Sequence, residues 1–411
     1  MSRAREAAHD AADLAARAAY GRLVAWLAAR WRDVAAAEDA LGDALLAALE
    51  SWPRDGVPDK PDAWLFTTAH RRLLDAARRA GVRADAAADL RLAMDHTADT
   101  SRNIFPDERL KLLFVCAHPA IDEAVRTSLM LQTVLGLDAA RIAAAFVVEP
   151  ATMSQRLVRA KAKIRDTGIR FEVPDARELA PRLDAVLDAI YAAYGTGWED
   201  VAGADPRRRG LAEEAIWLGR LITHLLPEEP EALGLLALML HCEARRLARR
   251  DAAGRYVPLS EQETTRWSRP MLEEAERTLE AAAVHAAPGR FQLEAAIQSA
   301  HAQRALTGHV DWEAIALLYE WLLRLAPTIG ARVGRAAALA EAKGPAPALT
   351  ALMEIPAADV ATYQPYWALH GHLLAALGRA PEARDSYAQA IGLSEDPAAR
   401  AFLRARAAAV R

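Results

Sequence analysis

The chain has 411 residues, a formal net charge of −4 and a hydrophobic content of 53%. About two to four domains are expected at this length. Two cysteines exclude a disulfide framework, and the longest apolar run, at 233–240, is too short to span a bilayer. Charged side chains throughout residues 1–20 argue against a secretory signal, so we expect a cytoplasmic protein.

Alanine dominates the composition, and glycines and prolines cluster between the alanine-rich runs. This pattern predicts an all-α fold, because alanine is the strongest helix former and the punctuating residues end helices. The charge is uneven: residues 1–170 carry a net +2 and residues 171–411 a net −6. The positive charge of the N-terminal part is therefore concentrated in local clusters, and the C-terminal part is acidic.

The first informative segment, from residue 34, predicts an amphipathic helix followed by a loop. Leu41, Leu45 and Leu49 recur at helical spacing and form a hydrophobic row. A loop from Ser51 to Asp62 follows, because glycine and proline punctuate it. The acidic residues expected on the exposed face of the helix are Glu38, Asp39 and Asp43.

The helix after this loop combines arginines with an aromatic side chain. Arginine beside aromatic rings suits contact with phosphates and stacking on single-stranded bases. Taken alone, the segment also fits an ordinary amphipathic helix with a solvated charged face. The side chains concerned are Trp64, Arg71, Arg72, Arg78 and Arg79.

Residues 84–106 read as a linker, because a weak helical piece is followed by a polar run. A loop and short helix packed on the core are the alternative for this segment.

Residues 137–165 predict two helices joined by a short turn. Asp138 is placed to cap the first helix, and Pro150 suits the first turn of the second. Two helices so joined, the second one basic, are the docking geometry of a helix-turn-helix in the DNA major groove. A solvated basic face is the alternative. The apolar residues expected to pack inward are Ile142, Phe146, Leu157 and Ile164.

The second helix of this pair carries the candidate DNA contacts. Polar residues near its N-terminal end, where base edges would be reached, are Thr152, Ser154 and Gln155. The residues expected to make its outer surface positive are Arg156, Arg159, Lys161, Lys163 and Arg165. Among these we expect Arg156 to discriminate between bases and Lys161 to contact phosphate.

From about residue 171 the sequence predicts helical hairpins, over 211–248, 312–343 and 364–393. The small and aromatic residues Ala383, Tyr387 and Ala390 have a spacing typical of interlocking TPR helices. The repeat period is irregular, so the expected architecture is a degenerate TPR-like array. Binding of a protein partner, packing within the chain and a ligand pocket are all open for this array.

The sequence predicts no catalytic centre, metal site or cofactor. Cys116 and His118 lack a second ligand pair at metal-binding spacing, and the pair His241–Cys242 lacks partners as well. The motifs of phosphate-binding loops, nucleophile elbows and zinc peptidases are absent from the sequence. We therefore expect a protein that is not an enzyme.

Several segments in order resemble the two domains of an extracytoplasmic-function (ECF) RNA polymerase sigma factor: AEDALGDALLAAL, SWPRDGVPDKPDAWL, AHRRLLDAARR and ATMSQRLVRAKAKIR. Further segments, among them EAIWLGRLITHLLPEEPEALGLLALMLHCEARRLAR and YVPLSEQETTRWSR, resemble the subgroup with a long C-terminal TPR-like extension. The resemblance covers nearly the whole chain. It implies sigma domain 2 at 1–83, a linker at 84–106, sigma domain 4 at 107–170 and a regulatory TPR-like domain at 171–411.

The resemblance also implies partners, namely core RNA polymerase, promoter DNA and a protein bound by the TPR-like array, with no membrane. The acidic face would meet the polymerase clamp. The loop from Ser51 to Asp62 and the arginine helix would hold the minus-ten element, and the helix-turn-helix would read the minus-thirty-five element. Two departures stand out. Gly42 stands where the family usually has a glutamine. The subgroup usually shows an asparagine-glutamate-glycine-aromatic motif at Tyr194–Trp198, and this chain keeps only the glycine and the aromatic residue.

The C-terminal extension is expected to control the sigma domains in cis, either by masking them or by supplying a required contact. The expected contact residues toward the DNA-binding half are Tyr194, Gly197 and Trp198, where glycines and aromatics interrupt a regular helical pattern. The alternative function is a helix-turn-helix transcriptional regulator with a TPR-type sensor that acts without replacing a sigma factor. Such a regulator has no use for the acidic helix, loop and arginine helix in series.

Overall fold

The computed structural model describes residues 19–79, 108–146, 148–175, 178–198 and 210–410. Within these ranges the regular structure is helical, and strand pairing is confined to an isolated bridge between Arg250 and Tyr256. The predicted all-α fold is confirmed. The chain divides into two compact units, Met1–Gly197 and Trp198–Arg411. The predicted linker at 84–106 lies outside the described residues.

Three helices form the first part of the N-terminal unit: α1 (19–31), α2 (Val34–Asp55) and α3 (Pro61–Arg79). Asp33 begins α2, because its carboxylate accepts a hydrogen bond of 3.0 Å from the Ala36 N–H. The rings of Trp26 and Phe66 meet edge to face, with 4.7 Å between their centroids. The buried leucines that complete this core are Leu23, Leu27, Leu41, Leu65 and Leu73.

Helix α2 extends through Pro53 to Asp55, so the loop predicted from Ser51 to Asp62 is shorter than expected. Trp52 is buried and holds the last turn of the helix against the core. Pro53 has no N–H to donate to the Leu49 carbonyl, so the last turn of the helix lacks one hydrogen bond. Gly56 ends the helix with a φ of 90°, a conformation that other residues rarely adopt.

Five further helices complete the N-terminal unit: α4 (Arg109–Cys116), α5 (Glu123–Leu135), α6 (Ala139–Ala145), α7 (Pro150–Asp166) and α8 (Leu179–Trp198). As predicted, the Asp138 carboxylate accepts a hydrogen bond of 2.8 Å from the Arg141 N–H, and Pro150 lies in the first turn of α7. The predicted core residues that are buried are Ile142, Leu157 and Ile164, while Phe146 is half-buried.

Helix α8 is fastened to α4 within the same unit. The Arg182 guanidinium donates a hydrogen bond of 3.0 Å to the Phe114 carbonyl, and the apolar side of α8 is buried, Leu187 and Ile190 included. The helix continues through Gly195 and Gly197 to Trp198. The expectation that these glycines interrupt the helical pattern is therefore wrong, because a helix tolerates glycine when its other residues are anchored by packing.

The C-terminal unit is an array of helices, several joined by short turns. They are α9 (Leu211–Leu225), α10 (Pro230–Glu243), α11 (Arg269–Ala283), α12 (Arg290–Ala302), α13 (Arg304–Thr307), α14 (Trp312–Leu325), α15 (Ile329–Lys343), α16 (Pro345–Met353), α17 (Ala357–Val360), α18 (Gln364–Ala376), α19 (Ala380–Leu393) and α20 (Pro397–Ala409). Most of these helices pack mainly on near neighbours along the chain, as α14 does on α15 and α18 on α19. This is the packing of a quasi-one-dimensional helical array.

Helix α10 is the most deeply buried element of this array, since every residue from Ala232 to His241 is buried. Its apolar run at 233–240 thus packs in a protein core. The irregular connection after α10 is held by Arg304, whose guanidinium donates to the carbonyl oxygens of Ser260 and Gln262. The same guanidinium lies 5.1 Å from the centre of the Trp267 ring, a cation–π contact.

In the part of the chain that the structure describes, no helix combines the length and apolar character needed to cross a membrane. In the same residues, no cluster of three histidine, cysteine, aspartate or glutamate side chains is arranged to hold a metal ion.

The close approach of α10 and α12 predicts a specific loss of stability. A Cβ atom on Gly234 would lie 2.6 Å from the Gln292 backbone nitrogen, so Gly234→Ala forces the helices apart. We expect the free energy of unfolding to fall by about 1–3 kcal/mol. The control is Gly392→Ala in α19, where a Cβ meets no atom within 4 Å. Urea denaturation should show no loss for the control, and an equal response of the two variants would contradict the packing.

Candidate functional site

Two of the three acidic residues predicted on the exposed face of α2 lie on a solvent-exposed side of the helix. Asp39 and Asp43 are exposed and lie one turn apart. Leu46 follows on the same side and is 61% exposed, which is unusual for a leucine in a helix with a buried row. The sequence analysis did not identify Leu46 as exposed, although its position outside the row of Leu41 and Leu45 indicates an outward side chain. An exposed leucine beside carboxylates suits an interface with an apolar centre and a charged rim.

Glu38 lies on the other side of α2 and is enclosed. Its carboxylate is 2.6 Å from the Lys161 ammonium of α7, and the two side chains are only 9% and 11% exposed. Lys161 also donates a hydrogen bond of 3.0 Å to the Gln132 side-chain oxygen of α5. Burial raises the pKa of Glu38, and the charge of Lys161 opposes this rise. A residue expected to bind polymerase and one expected to bind DNA are therefore paired with each other.

Two further contacts join the same elements. The Arg165 guanidinium of α7 lies 3.8 Å from the Asp33 carboxylate. At the other edge, a Cβ atom on Gly21 of α1 would lie 2.0 Å from the Val134 carbonyl oxygen of α5. Only glycine permits so close an approach of two helices at this point. The contact between α1–α2 and α5–α7 is thus ionic on one side and closely packed on the other.

The arginines predicted to contact DNA form an exposed basic face on α3. The four arginines follow one another at spacings that place them on one side of the helix, and all four are exposed: Arg71, Arg72, Arg78 and Arg79. Asp75 moderates the charge, because its carboxylate lies 3.5 Å from Arg78. Trp64 is half-buried, and its ring meets that of Trp52 edge to face at 5.5 Å. The indole therefore lies at the beginning of the basic face, beside the loop after α2.

Helix α7 has a buried side, an outward side opposite to it and two flanks. At about 100° per residue, the buried side consists of Met153, Leu157, Ala160 and Ile164. The side opposite consists of Ala151, Gln155, Val158, Arg159 and Ala162. Arg156 and Lys163 lie along one flank and are exposed, while Ser154, Lys161 and Arg165 lie along the other. Thr152, on the same flank as Arg156 and Lys163, is half-buried.

This arrangement changes two expectations about α7. Lys161 does not lie on the outer surface, because its flank faces α2 and its charge is paired there. Arg159 lies nearer the centre of the outward side than Arg156 does. The centre also holds Val158, which is 62% exposed and was missed in the sequence. The sequence does carry a signal for this exposure, because helical spacing places Val158 on the side away from Leu157 and Ile164.

The predicted contact residues at the end of α8 are only partly described. Tyr194 is buried within the N-terminal unit, at 2% exposure. For Gly197 and Trp198 only the helical backbone is described. The Cys116 thiol is within 3.4 Å of the Thr133 hydroxyl, and the His118 ring accepts a hydrogen bond from the Ala120 N–H.

Comparison with known proteins gives three matches. The Sigma-70 region 2 family matches residues 16–83, which include α1 to α3. A family of unknown function, DUF6596, matches residues 182–283, from α8 to the end of α11. The uncharacterized protein R00370 of Rhizobium meliloti (strain 1021) is 38% identical over 398 residues, which are 95% of this chain and 94% of that protein. No solved structure matches the chain.

Proposed function

The chain belongs to the same family as the uncharacterized protein R00370 and carries a Sigma-70 region 2 domain, and on this premise we propose that it is an alternative sigma factor of the ECF type. It binds core RNA polymerase and directs promoter recognition and transcription initiation. One observation carries the proposal: the region 2 match coincides with α1–α3, where an exposed acidic face and an exposed arginine face lie on adjacent helices. A helix-turn-helix regulator acting alone would need neither face.

In this proposal each face has its own partner. Asp39, Asp43 and the exposed Leu46 bind the polymerase clamp. Trp64 and the four arginines of α3 hold the minus-ten element after the strands separate. Unstacking a base costs a few kcal/mol, and an aromatic surface beside positive charge offsets that cost. These roles extend over sigma domain 2, residues 1–83.

Sigma domain 4, residues 107–170, reads the minus-thirty-five element through α7. The outward side supplies base contacts, with Gln155 and Arg159 as hydrogen-bonding groups and Val158 as an apolar one. Side chains on the flanks, Arg156 and Lys163 among them, reach the phosphates that border the groove. Base contacts give sequence preference, whereas phosphate contacts strengthen binding to every sequence.

Residues 171–411 form a TPR-like regulatory domain that controls the sigma domains in cis and offers a surface for a protein partner. A tethered domain acts at a high effective concentration, so a weak contact suffices. Its net charge of −6 suits contact with basic helices. Tyr194, Gly197 and Trp198, at the end of α8, are the residues proposed to connect the two halves.

The first test concerns polymerase binding. Asp39→Lys with Asp43→Lys reverses two charges on an exposed face, so we expect core polymerase affinity to fall about tenfold or more with the fold intact. Glu273→Lys with Glu280→Lys, two exposed sites on α11, makes the same change in net charge elsewhere. Affinity is measured by fluorescence anisotropy of the labelled chain. Equal losses in both double variants would reject the assignment of the acidic face.

The second test concerns the reading of bases by α7. Thymine presents a C5-methyl group in the major groove, and deoxyuridine lacks it. We expect deoxyuridine at one thymine of the minus-thirty-five element to weaken wild-type binding about fourfold, the value of roughly one buried methylene. Val158→Ser should bind both DNAs equally, whereas Lys163→Met should weaken both and keep the difference. A wild-type protein indifferent to every such replacement would remove Val158 from the reading surface.

The third test concerns the regulatory domain. Truncation belongs after Gly197, because α8 packs on α4 and its removal would expose the core of the N-terminal unit. Higher activity of the truncated protein in transcription with core polymerase would support masking. Lost activity with intact polymerase binding would support a required contact. Unaltered activity, with and without cell extract, would show that the C-terminal unit does not regulate in cis.

A further inference from the structure

A small cavity lies within the C-terminal unit, among helices α12 to α15 and the irregular connection that follows α10. Its volume is about 210 Å³. An apolar cavity of about 150 Å³ holds a benzene molecule, so this cavity has room for a benzene ring with small substituents. The connection contributes Ser260 and Trp267, which belong to the segment YVPLSEQETTRWSR. The proposed function gives this segment no role of its own.

Aromatic rings form much of the cavity wall. The indoles of Trp267 and Trp312 both line it, and Trp312 meets the ring of His301 edge to face, with 5.2 Å between their centroids. Burial, followed by the charges of Arg245 and Arg304, lowers the pKa of His301 to about 4. The imidazole is therefore uncharged at neutral pH. Such a wall suits contact with a planar aromatic ligand.

Two guanidinium groups lie on the Trp267 ring. The Cζ atoms of Arg304 and Arg245 are 5.1 and 6.0 Å from its centre. Their acceptors in the described structure are uncharged. Arg304 donates to two backbone carbonyls, and Arg245 donates to the Gln298 side-chain oxygen and the Cys242 sulfur. Arg245 is only 6% exposed, and its Nη1 atom has no hydrogen-bond partner among the described residues.

Positive charge therefore gathers beside this cavity without a matching anion. A buried charge that lacks a counter-ion is costly. Burial, and then the charge of Arg245, also lowers the pKa of Arg304. Arg304 lines the cavity and has five N–H groups, of which two backbone carbonyls use only part. A carboxylate in the cavity would accept from the remaining donors and lessen the cost of both charges.

Acidic character enters the lining through Glu341, whose side chain is exposed. A second carboxylate close to Glu341 would be repelled, whereas a hydroxyl group would donate a hydrogen bond to it. The lining thus favours a ligand that presents a carboxylate at one point of its ring and a hydroxyl at another.

We propose that this cavity is a binding site for a small aromatic carboxylate that carries a hydroxyl group. The ring contacts Trp267 and Trp312, the carboxylate accepts hydrogen bonds from Arg304, and the hydroxyl donates to Glu341. The site goes beyond the proposed function, which gives the C-terminal unit a protein partner and control in cis but no chemical signal.

Isothermal titration calorimetry of the full-length chain tests the proposal with para-hydroxybenzoate as the probe. We expect saturable binding of one molecule per chain. Para-hydroxybenzyl alcohol lacks the negative charge and should bind roughly tenfold to a hundredfold more weakly, the value of charge-assisted hydrogen bonds. Tighter binding of para-hydroxybenzylamine than of the acid would overturn the proposal, because Glu341 would then dominate over Arg304. Absence of saturable binding by the acid and its ortho and meta isomers at millimolar concentration would overturn it as well.

A variant that fills the cavity locates the binding site. Ser260 is exposed and lines the cavity, so Ser260→Trp occupies its space from the solvent side and should abolish binding. The matched control is Thr265→Trp, at an exposed position of the same segment outside the lining, which should bind as wild type does. Wild-type affinity in folded Ser260→Trp would place the ligand elsewhere and refute the site.

Glu341→Gln tests the hydroxyl contact without any change to the core. The wild-type chain should prefer para-hydroxybenzoate to benzoate, and Glu341→Gln should reduce that preference about tenfold, since it removes the charged acceptor and the repulsion of benzoate together. Glu280→Gln, an exposed site on α11, makes the same change in net charge and should keep the preference. An unchanged preference in Glu341→Gln would refute the assigned orientation. Calorimetry requires no polymerase, so these outcomes are independent of the proposed sigma function.

Discussion

A buried ion pair between residues 123 positions apart, Glu38 and Lys161, determines which surfaces of the N-terminal unit face solvent. Burial removes water from both charges, and their attraction offsets much of that loss. The raised pKa of Glu38 reflects this balance, since burial outweighs the effect of Lys161. Such a pair adds little net stability. It strongly disfavours any packing that buries Glu38 without Lys161, and so fixes the register of α2 against α7.

The ionic contact is possible because backbones approach closely nearby. Gly21 lets α1 rest on the carbonyl of Val134, and this brings α2 within reach of α7. Because the pair occupies one side of each helix, the other sides stay open: Asp39 and Asp43 on α2, and the centre around Val158 on α7. The exposed faces proposed to bind polymerase and DNA are thus defined by what the contact between α2 and α7 covers. The C-terminal unit is packed differently, because most of its helices contact mainly the helices next to them along the chain, around the buried α10.

Local signals in the sequence were sufficient for much of the fold. Asp138, Pro150 and the buried Leu157 and Ile164 behave as predicted, because capping, the first turn and the apolar period depend on neighbouring residues alone. The exposed arginines of α3 were predictable for the same reason. The pairing of Lys161 was not, because it depends on the packing of a helix far away in the sequence.

The other misses have similar causes. Helix α2 passes Pro53 because Trp52 is anchored in the core, a tertiary effect that overrides the turn signal. Helix α8 passes two glycines because its apolar side is packed. Val158 is apolar, as core residues are. Only knowledge of which side of α7 is buried reveals that Val158 faces outward.

Transcription by a reconstituted polymerase tests the central claim most directly. Core RNA polymerase freed of all sigma factors is mixed with the purified full-length chain and fragmented genomic DNA of the source organism, and transcript 5′ ends are sequenced. The account predicts transcripts that require the chain and begin downstream of two shared sequence elements about 25 base pairs apart. Absence of such transcripts, while another sigma factor activates the same core preparation, would contradict it.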